Sequence, residues 1–332
     1  MSISQSIRES MVKGSWILQM FEAGARLKAE HGAENVFDFS LGNPILEPPE
    51  QVHEQMRRLL EKPEHGMHRY MPNAGFVETR EFIAGVMRDE TGYPFGSDDV
   101  VMCVGAGGGL NVVFKALLEA GDEVLALTPY FVEYGTYVQN HGGRLTLAET
   151  TAEFQPDLDS IESSLSEHTK IVIINSPNNP TGAVYSQQIL DELAQLLFRK
   201  EKDFGHPIYL VSDDIYRYIV FDGFKNSNVF LSYPNSILVN SHSKDLGLAG
   251  ERIGYIAIHP HVFGKEELYQ ALVLCNRILG FVNAPAMMQK ILPLLGNARV
   301  DISVYEKLRD KMFSMISDLG FEAIKPQGAF YI

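Results

Sequence analysis

The sequence predicts an α/β fold: a three-layer, mostly parallel central sheet in a large domain, with a smaller α+β domain built from both termini. Two observations predict it. Seven short apolar, β-rich runs (100–104, 123–127, 144–147, 171–174, 208–211, 236–239 and 253–258) alternate mostly with helix-like stretches. Those runs lack clean polar alternation, so most of the strands should be covered on both faces, and polar residues gather at their carboxyl ends. The large domain is placed at residues 46–286. Residues 1–45 and 287–332 form the small one, which takes in most of the amphipathic stretch from 283 to 319. No repeat, low-complexity tract or flexible linker interrupts the pattern.

Composition bounds the function classes. The 332 residues are 45% hydrophobic and 21% charged, which describes an ordinary soluble protein with room for two domains. A formal net charge of -14 argues against nucleic acid or an anionic membrane as partner. Cys103 and Cys275 form no Cys-x-x-Cys pair and no histidine cluster accompanies them, so neither a metal nor a disulfide framework is expected. The first ten residues lack the apolar core of a signal peptide and no run approaches a membrane span, which makes a cytoplasmic location the default.

In chain order, Phe39-Ser40-Leu41-Gly42-Asn43-Pro44 and His68-Arg69-Tyr70-Met71-Pro72-Asn73-Ala74-Gly75 each precede a helix-like stretch. The run 100–104 meets Gly105-Ala106-Gly107-Gly108-Gly109, with a helix expected from near Gly109; a helix N-terminus of small residues is a natural phosphate cradle. A dinucleotide fingerprint is excluded there, because Gly-x-Gly-x-x-Gly spacing puts Leu110 at the third glycine. Thr128-Pro129-Tyr130-Phe131 offers a ring for stacking. The run 171–174 ends in Asn175-Ser176-Pro177-Asn178-Asn179-Pro180-Thr181-Gly182, where prolines fix φ and hold the Asn175 and Asn179 amides stiffly. The run ending at Val211 delivers Ser212-Asp213-Asp214-Ile215-Tyr216: a carboxylate that can keep a pyridine nitrogen protonated and a hydroxyl that can bond a ring oxygen.

After the run 236–239 come Ser241-His242-Ser243-Lys244 and, eight residues beyond the lysine, Arg252. An amine forms a Schiff base only when unprotonated, and a fixed cation nearby both binds phosphate and disfavours a second positive charge. The implied cofactor is pyridoxal phosphate. Each segment alone has an ordinary explanation as a surface lysine, a decorated turn or a helix cap.

Taken together and in this order, the three segments resemble the fold-type I pyridoxal-phosphate enzymes, specifically the class I/II aminotransferases of the aspartate aminotransferase superfamily, along essentially the whole chain. The resemblance implies that Lys244 carries the cofactor, Asp213 pairs with the pyridinium nitrogen, and Asn179 and Tyr216 bond the ring's phenolic oxygen. It further implies that Ser241, Arg252 and the amides of Gly105, Ala106 and Gly107 hold the phosphate and that Phe131 stacks on the ring. Gly42 and Asn175 fall at the substrate end. Tyr70 resembles a residue that reaches the phosphate of a neighbouring subunit, implying a homodimer with shared sites. The activity implied is transfer of the α-amino group of an amino acid, with an acidic donor such as aspartate or glutamate favoured, to a 2-oxo acid in a ping-pong cycle. A β-eliminating lyase or a synthase on the same scaffold is the nearer alternative, and a noncatalytic sensor domain the remoter one.

One departure stands out. Family members continue beyond Ile332, and the part absent here completes the small domain and supplies an arginine that binds the substrate carboxylate bidentately. No residue of this chain takes that role. Truncation is the favoured explanation, and as written the chain is expected to be weakly active with an exposed apolar edge at residues 327–332.

Overall fold

The computed structural model describes residues 3–5, 7–8, 11, 15–39 and 42–332. By internal contacts the chain divides between Asn43 and Pro44 into two compact units. In the first, helix α1 (Ser15–His31) carries Lys28 and His31 in its last turn, where cations complement the helix dipole, and stops at Gly32, whose φ is 84°. Lys28 then reaches Asp38 at 2.8 Å. A Cβ on Gly24 would lie 2.8 Å from an Asp38 oxygen, so a glycine there lets the chain return along the helix.

The second unit opens with α2 (Glu50–Glu61) and α3 (Val77–Thr91). Strands and helices then alternate: β1 (Val100–Cys103), α4 (Gly105–Leu117), β2 (Glu123–Thr128), α5 (Glu133–Asn140), β3 (Arg144–Glu149), α6 (Leu158–Ser164), β4 (Thr169–Asn175), α7 (Gln187–Phe204), β5 (Tyr209–Asp213), α8 (Val229–Ser232), β6 (Ser236–Ser241) and β7 (Gly254–Ile258). Three more helices follow, α9 (Lys265–Ile278), α10 (Ala286–Leu295) and α11 (Ile302–Asp318). All seven expected strands form one sheet, ordered β1-β7-β6-β5-β4-β2-β3, in which only β7 runs against its neighbours.

The three layers follow from strand geometry, because successive side chains point to opposite faces. Val101, Cys103, Val124, Ala126, Ile171 and Ile173 pack on one face with Leu110, Val113 and Phe114 of α4 and Leu268 and Leu272 of α9. The intervening Val100, Met102, Leu125, Leu127, Val172 and Ile174 pack on the other with α3, α7 and α10. Both faces being covered, the interior strands read as unbroken apolar runs; edge strand β3 is mostly accessible instead.

Three local expectations change. Helix α4 begins at Gly105 rather than near Gly109, because the glycines let it lie almost on the sheet: a Cβ on Gly109 would sit 2.7 Å from Val239 and 2.9 Å from Cys103. The amphipathic stretch from 283 to 319 is two helices, separated around Gly296, whose φ is 54°. Residues 327–332 are not a bare edge. Gln327 and Gly328 donate to the Gly182 carbonyl, Ala329 donates to Ile219 O, and Phe221 donates to Gln327 O. Ala329 is fully buried, and Phe330 and Tyr331 pack on a small core of Tyr216, Ile219, Phe221, Val300 and Tyr305. Only Ile332 of this segment keeps large apolar exposure.

Candidate active site

Sheet register assembles the site. In parallel strands Asn175 pairs with Asp213, while antiparallel β7 brings Gly254 opposite both Ser241 and Cys103. The ends of β4, β5 and β6 and the start of α4 therefore meet along one edge, the usual ligand side of an open α/β sheet.

Asp213 is 4% exposed, and burial pushes its carboxyl up to about 6, a rise moderated by a hydrogen bond from Tyr134. That bond, from the Tyr134 hydroxyl to Oδ2, is 2.7 Å long; Oδ1 is buried with no partner among the described residues. Asn175 braces the pair of loops: its amide donates to the Asp213 carbonyl at 2.7 Å and accepts the Asn179 N–H at 2.6 Å. Burial, not a charge partner, is again the chief influence on the neighbouring Asp214, raised to about 7.

Lys244 lies in the turn after β6. Its Nζ sits 5.8 Å from the Tyr216 ring centre and 5.2 Å from that of Phe330. Burial, and after it the Arg252 guanidinium, together lower its amine to about 8. The Tyr216 hydroxyl meets that of Tyr331 at 2.6 Å.

Arg252 adopts a left-handed φ of 53° that swings its guanidinium toward the first turn of α4, and its Nη1 donates to Ala249 O at 3.0 Å. A Cβ on Gly105, itself at φ 67°, would fall 2.6 Å from Arg252 Nη2. The cation thus rests against the helix start, where the amides of Gly105, Ala106 and Gly107 lie at the positive end of a 13-residue helix. Ser241 is buried nearby on the Gly254 pairing, its hydroxyl bonded to Ser243 at 3.0 Å. A side chain is excluded at Gly105 by the very group that would share an anion with it.

A sequence profile described as aminotransferase class I and II matches residues 34–332. The chain belongs to that family. It is 33% identical over 300 residues to an aspartate/prephenate aminotransferase of Thermus thermophilus, covering 88% of this chain and 74% of that protein. An amino transferase structure from Eubacterium rectale superposes with a TM-score of 0.94 at 38% identity, over 99% of this chain and 83% of that one. The Thermotoga maritima aspartate aminotransferase structure gives a TM-score of 0.83 at 27% identity, over 98% of this chain and 84% of that one.

Against this aminotransferase fold, the contacts above tie Asp213 to Asn175 and Asn179, Lys244 to Tyr216, and Arg252 to Gly105, with Ser241 on the neighbouring Gly254 pairing, and half-buried Phe131 meets Tyr134 edge-on with ring centres 5.5 Å apart. Tyr70 stands apart. It is 92% exposed and lines an open pocket of 560 Å³ with Arg69, Phe281 and Asn283. Gly42 belongs to the N-terminal unit. Sequence reasoning missed Tyr134, Phe330 and Tyr331. Tyr134 carried a faint signal, an aromatic three residues past Phe131 at the start of α5; Phe330 and Tyr331 carried none, because only long-range folding returns them to Tyr216.

Proposed function

We propose that this aminotransferase uses pyridoxal phosphate to move an α-amino group from an acidic amino acid, aspartate or glutamate, to a 2-oxo acid. The observation that carries the cofactor assignment is the buried Oδ1 of Asp213, without a partner among the described residues, standing on the same sheet edge as an amine lowered to about 8 and a cation pressed against a helix start. These residues fit the group: Arg252, Ser241 and the first amides of α4 for a phosphate, Asp213 Oδ1 for a protonated ring nitrogen, Tyr216 and Asn179 for the ring oxygen, Phe131 for the ring face. When bound, pyridoxal phosphate supplies an aldehyde carbon that captures the amino group and a ring that accepts the electron pair left by the Cα proton.

The chain's own residues do the rest. Lys244, with an amine near 8, is neutral often enough at physiological pH to take a proton from Cα and return it elsewhere. Asp213, held by Tyr134 on one oxygen, keeps the other for the ring N–H and so maintains the ring as an electron acceptor. Tyr216, tied to Tyr331 through its hydroxyl, holds its ring beside the lysine. Tyr70 reaches a second copy's phosphate in a cytoplasmic homodimer, and Gly42 and Asn175 stand at the substrate end. Residues 46–286 act as the cofactor-binding domain and residues 1–45 with 287–332 as the small one. The acidic donor is supported by the names of similar proteins, such as the Thermus thermophilus enzyme above; an aromatic donor is the second reading, because an aromatic-amino-acid aminotransferase of Thermococcus litoralis is 28% identical over 98% of this chain.

The test is a half-reaction. Protein loaded with pyridoxal phosphate is mixed with each of a panel of amino acids, without any oxo acid, and released 2-oxo acid is counted. One equivalent per chain from aspartate or glutamate, and none from Lys244→Ala, is the expected result. Turnover to pyruvate and ammonia without an acceptor would mean a lyase, and full activity in Lys244→Ala would end the assignment.

A further inference from the structure

A second set of charges, several of them buried, runs beside the proposed site. Asp245, directly after Lys244, is 2% exposed. Its carboxylate faces His242 Nδ1 at 3.2 Å and Arg299 Nε at 3.5 Å, and its carbonyl accepts the Val300 N–H at 2.8 Å. The His242 backbone is pinned in turn, its amide N–H donating to Ile253 O at 3.0 Å and its carbonyl accepting from Leu248 N–H at 3.2 Å. On the other side of the lysine, the Ser243 hydroxyl is bonded to Ser241. Lys244 thus sits between two tied residues.

The ties continue to the ring-nitrogen side. Arg299 lies 4.3 Å from the centre of the Tyr218 ring, and the Tyr218 hydroxyl donates to Glu90 at 3.1 Å. Glu90 also pairs with Arg217, which reaches Asp214 at 3.5 Å, and Asp214 follows Asp213. A polar chain, buried at its Asp245 and Asp214 ends and open to solvent at Glu90, therefore links the residue after Lys244 to the residue after Asp213. Buried ion pairs are a weak source of stability, since removing two charges from water consumes most of what their attraction returns. A pair retained at this place is better explained by what it orients. It also aims the carboxylate nearest in sequence to Lys244 toward Arg299 and His242.

Taking the proposed role of Lys244 as given, we infer that Asp245, gripped by Arg299 and His242, is a positioning residue that holds the Lys244 amine for condensation with the cofactor's aldehyde. In that step the amine nitrogen bonds the aldehyde carbon and one water leaves; borohydride then adds hydride to carbon, and solvent a proton to nitrogen, to make the link permanent.

The test reads that link and not turnover. Full-length protein, Asp245→Asn, Arg299→Gln and Arg299→Lys are equilibrated with pyridoxal phosphate, reduced with borohydride and scored by mass spectrometry for the Lys244 adduct; cofactor affinity is followed by fluorescence and cofactor-free stability by thermal melting. A displaced reactive group loses on the order of tenfold to a hundredfold, so Asp245→Asn and Arg299→Gln should weaken affinity and labelling by about that much, with Arg299→Lys recovering most of it. The side chain of Arg299 is 26% exposed, so its variants decide the matter even if Asp245→Asn does not fold. Folded variants labelled like the wild type, whatever their melting temperature, overturn this inference alone. A wild type that gives no adduct at Lys244 overturns the reading of Lys244 and this inference with it.

Discussion

Tyr134→Phe removes a single oxygen and leaves the ring, so its consequences fall on Asp213. Burial holds the Asp213 carboxyl at about 6, against 3.8 unfolded, and the Tyr134 hydroxyl is the group that limits the rise. A folded-state value raised above the unfolded one is a stability cost that is absent below the unfolded value, grows as pH rises from about 4 to 6, and is constant beyond. For the wild type that cost is about 3 kcal/mol, taking 1.36 kcal/mol per pH unit. A hydrogen bond to a charged group contributes about 1.5–3 kcal/mol, so losing it should carry the carboxyl up by a further one to two pH units. Denaturant unfolding of cofactor-free protein at pH 5 and pH 8 measures this. The variant should lie close to the wild type at pH 5, where Asp213 is mostly protonated in both, and fall about 2 kcal/mol below it at pH 8. Asp214 titrates nearby, at about 7, but is common to both proteins, so the difference between them isolates Asp213. Equal differences at the two pH values would refute the idea that Tyr134 acts on the ionised carboxylate.

Other perturbations probe the rest of the edge. Lys244→Met should raise the melting temperature of cofactor-free protein below pH 8: an amine lowered from 10.5 to about 8 by burial costs up to about 3 kcal/mol there, and the gain should fade as pH climbs from 8 to 10.5; an unchanged or lower melting temperature at pH 7 would contradict it. Arg252→Gln should move Lys244 titration upward, read as slower acylation of Lys244 at pH 8, and an unaltered pH profile would show that the guanidinium does not act on the amine. Gly105→Ala forces a Cβ to 2.6 Å from Arg252 at a positive φ, so pyridoxal phosphate affinity by fluorescence titration should drop by at least about tenfold, with about 1 kcal/mol lost in stability. Asn175→Ala removes the side-chain bonds to the Asn179 N–H and the Asp213 carbonyl and should cost about 1–3 kcal/mol in urea unfolding; a loss under 0.5 kcal/mol would mean the loops hold without it.

The sequence by itself determined the strands, their burial on both faces and the polar residues at their ends, because these signals are local. An apolar run such as 171–174 cannot hide from water unless it is covered twice, and the prolines after Asn175 stop it whatever lies elsewhere. The types at Lys244, Asp213 and Arg252 were legible for the same reason, each being set by a chemistry that few side chains can perform. Tertiary structure decided what those residues touch. Only the register of β4 with β5 and the return of β7 between β1 and β6 put Asp213, Lys244 and the start of α4 on one edge. Tyr134 reaches Asp213 across 79 residues of sequence, and Tyr331 reaches Tyr216 across 115. No local pattern encodes such distances: they follow from closure of the sheet and the packing of residues 327–332 against Ile219 and Gly182, in which backbone groups that looked bare in the sequence find their partners.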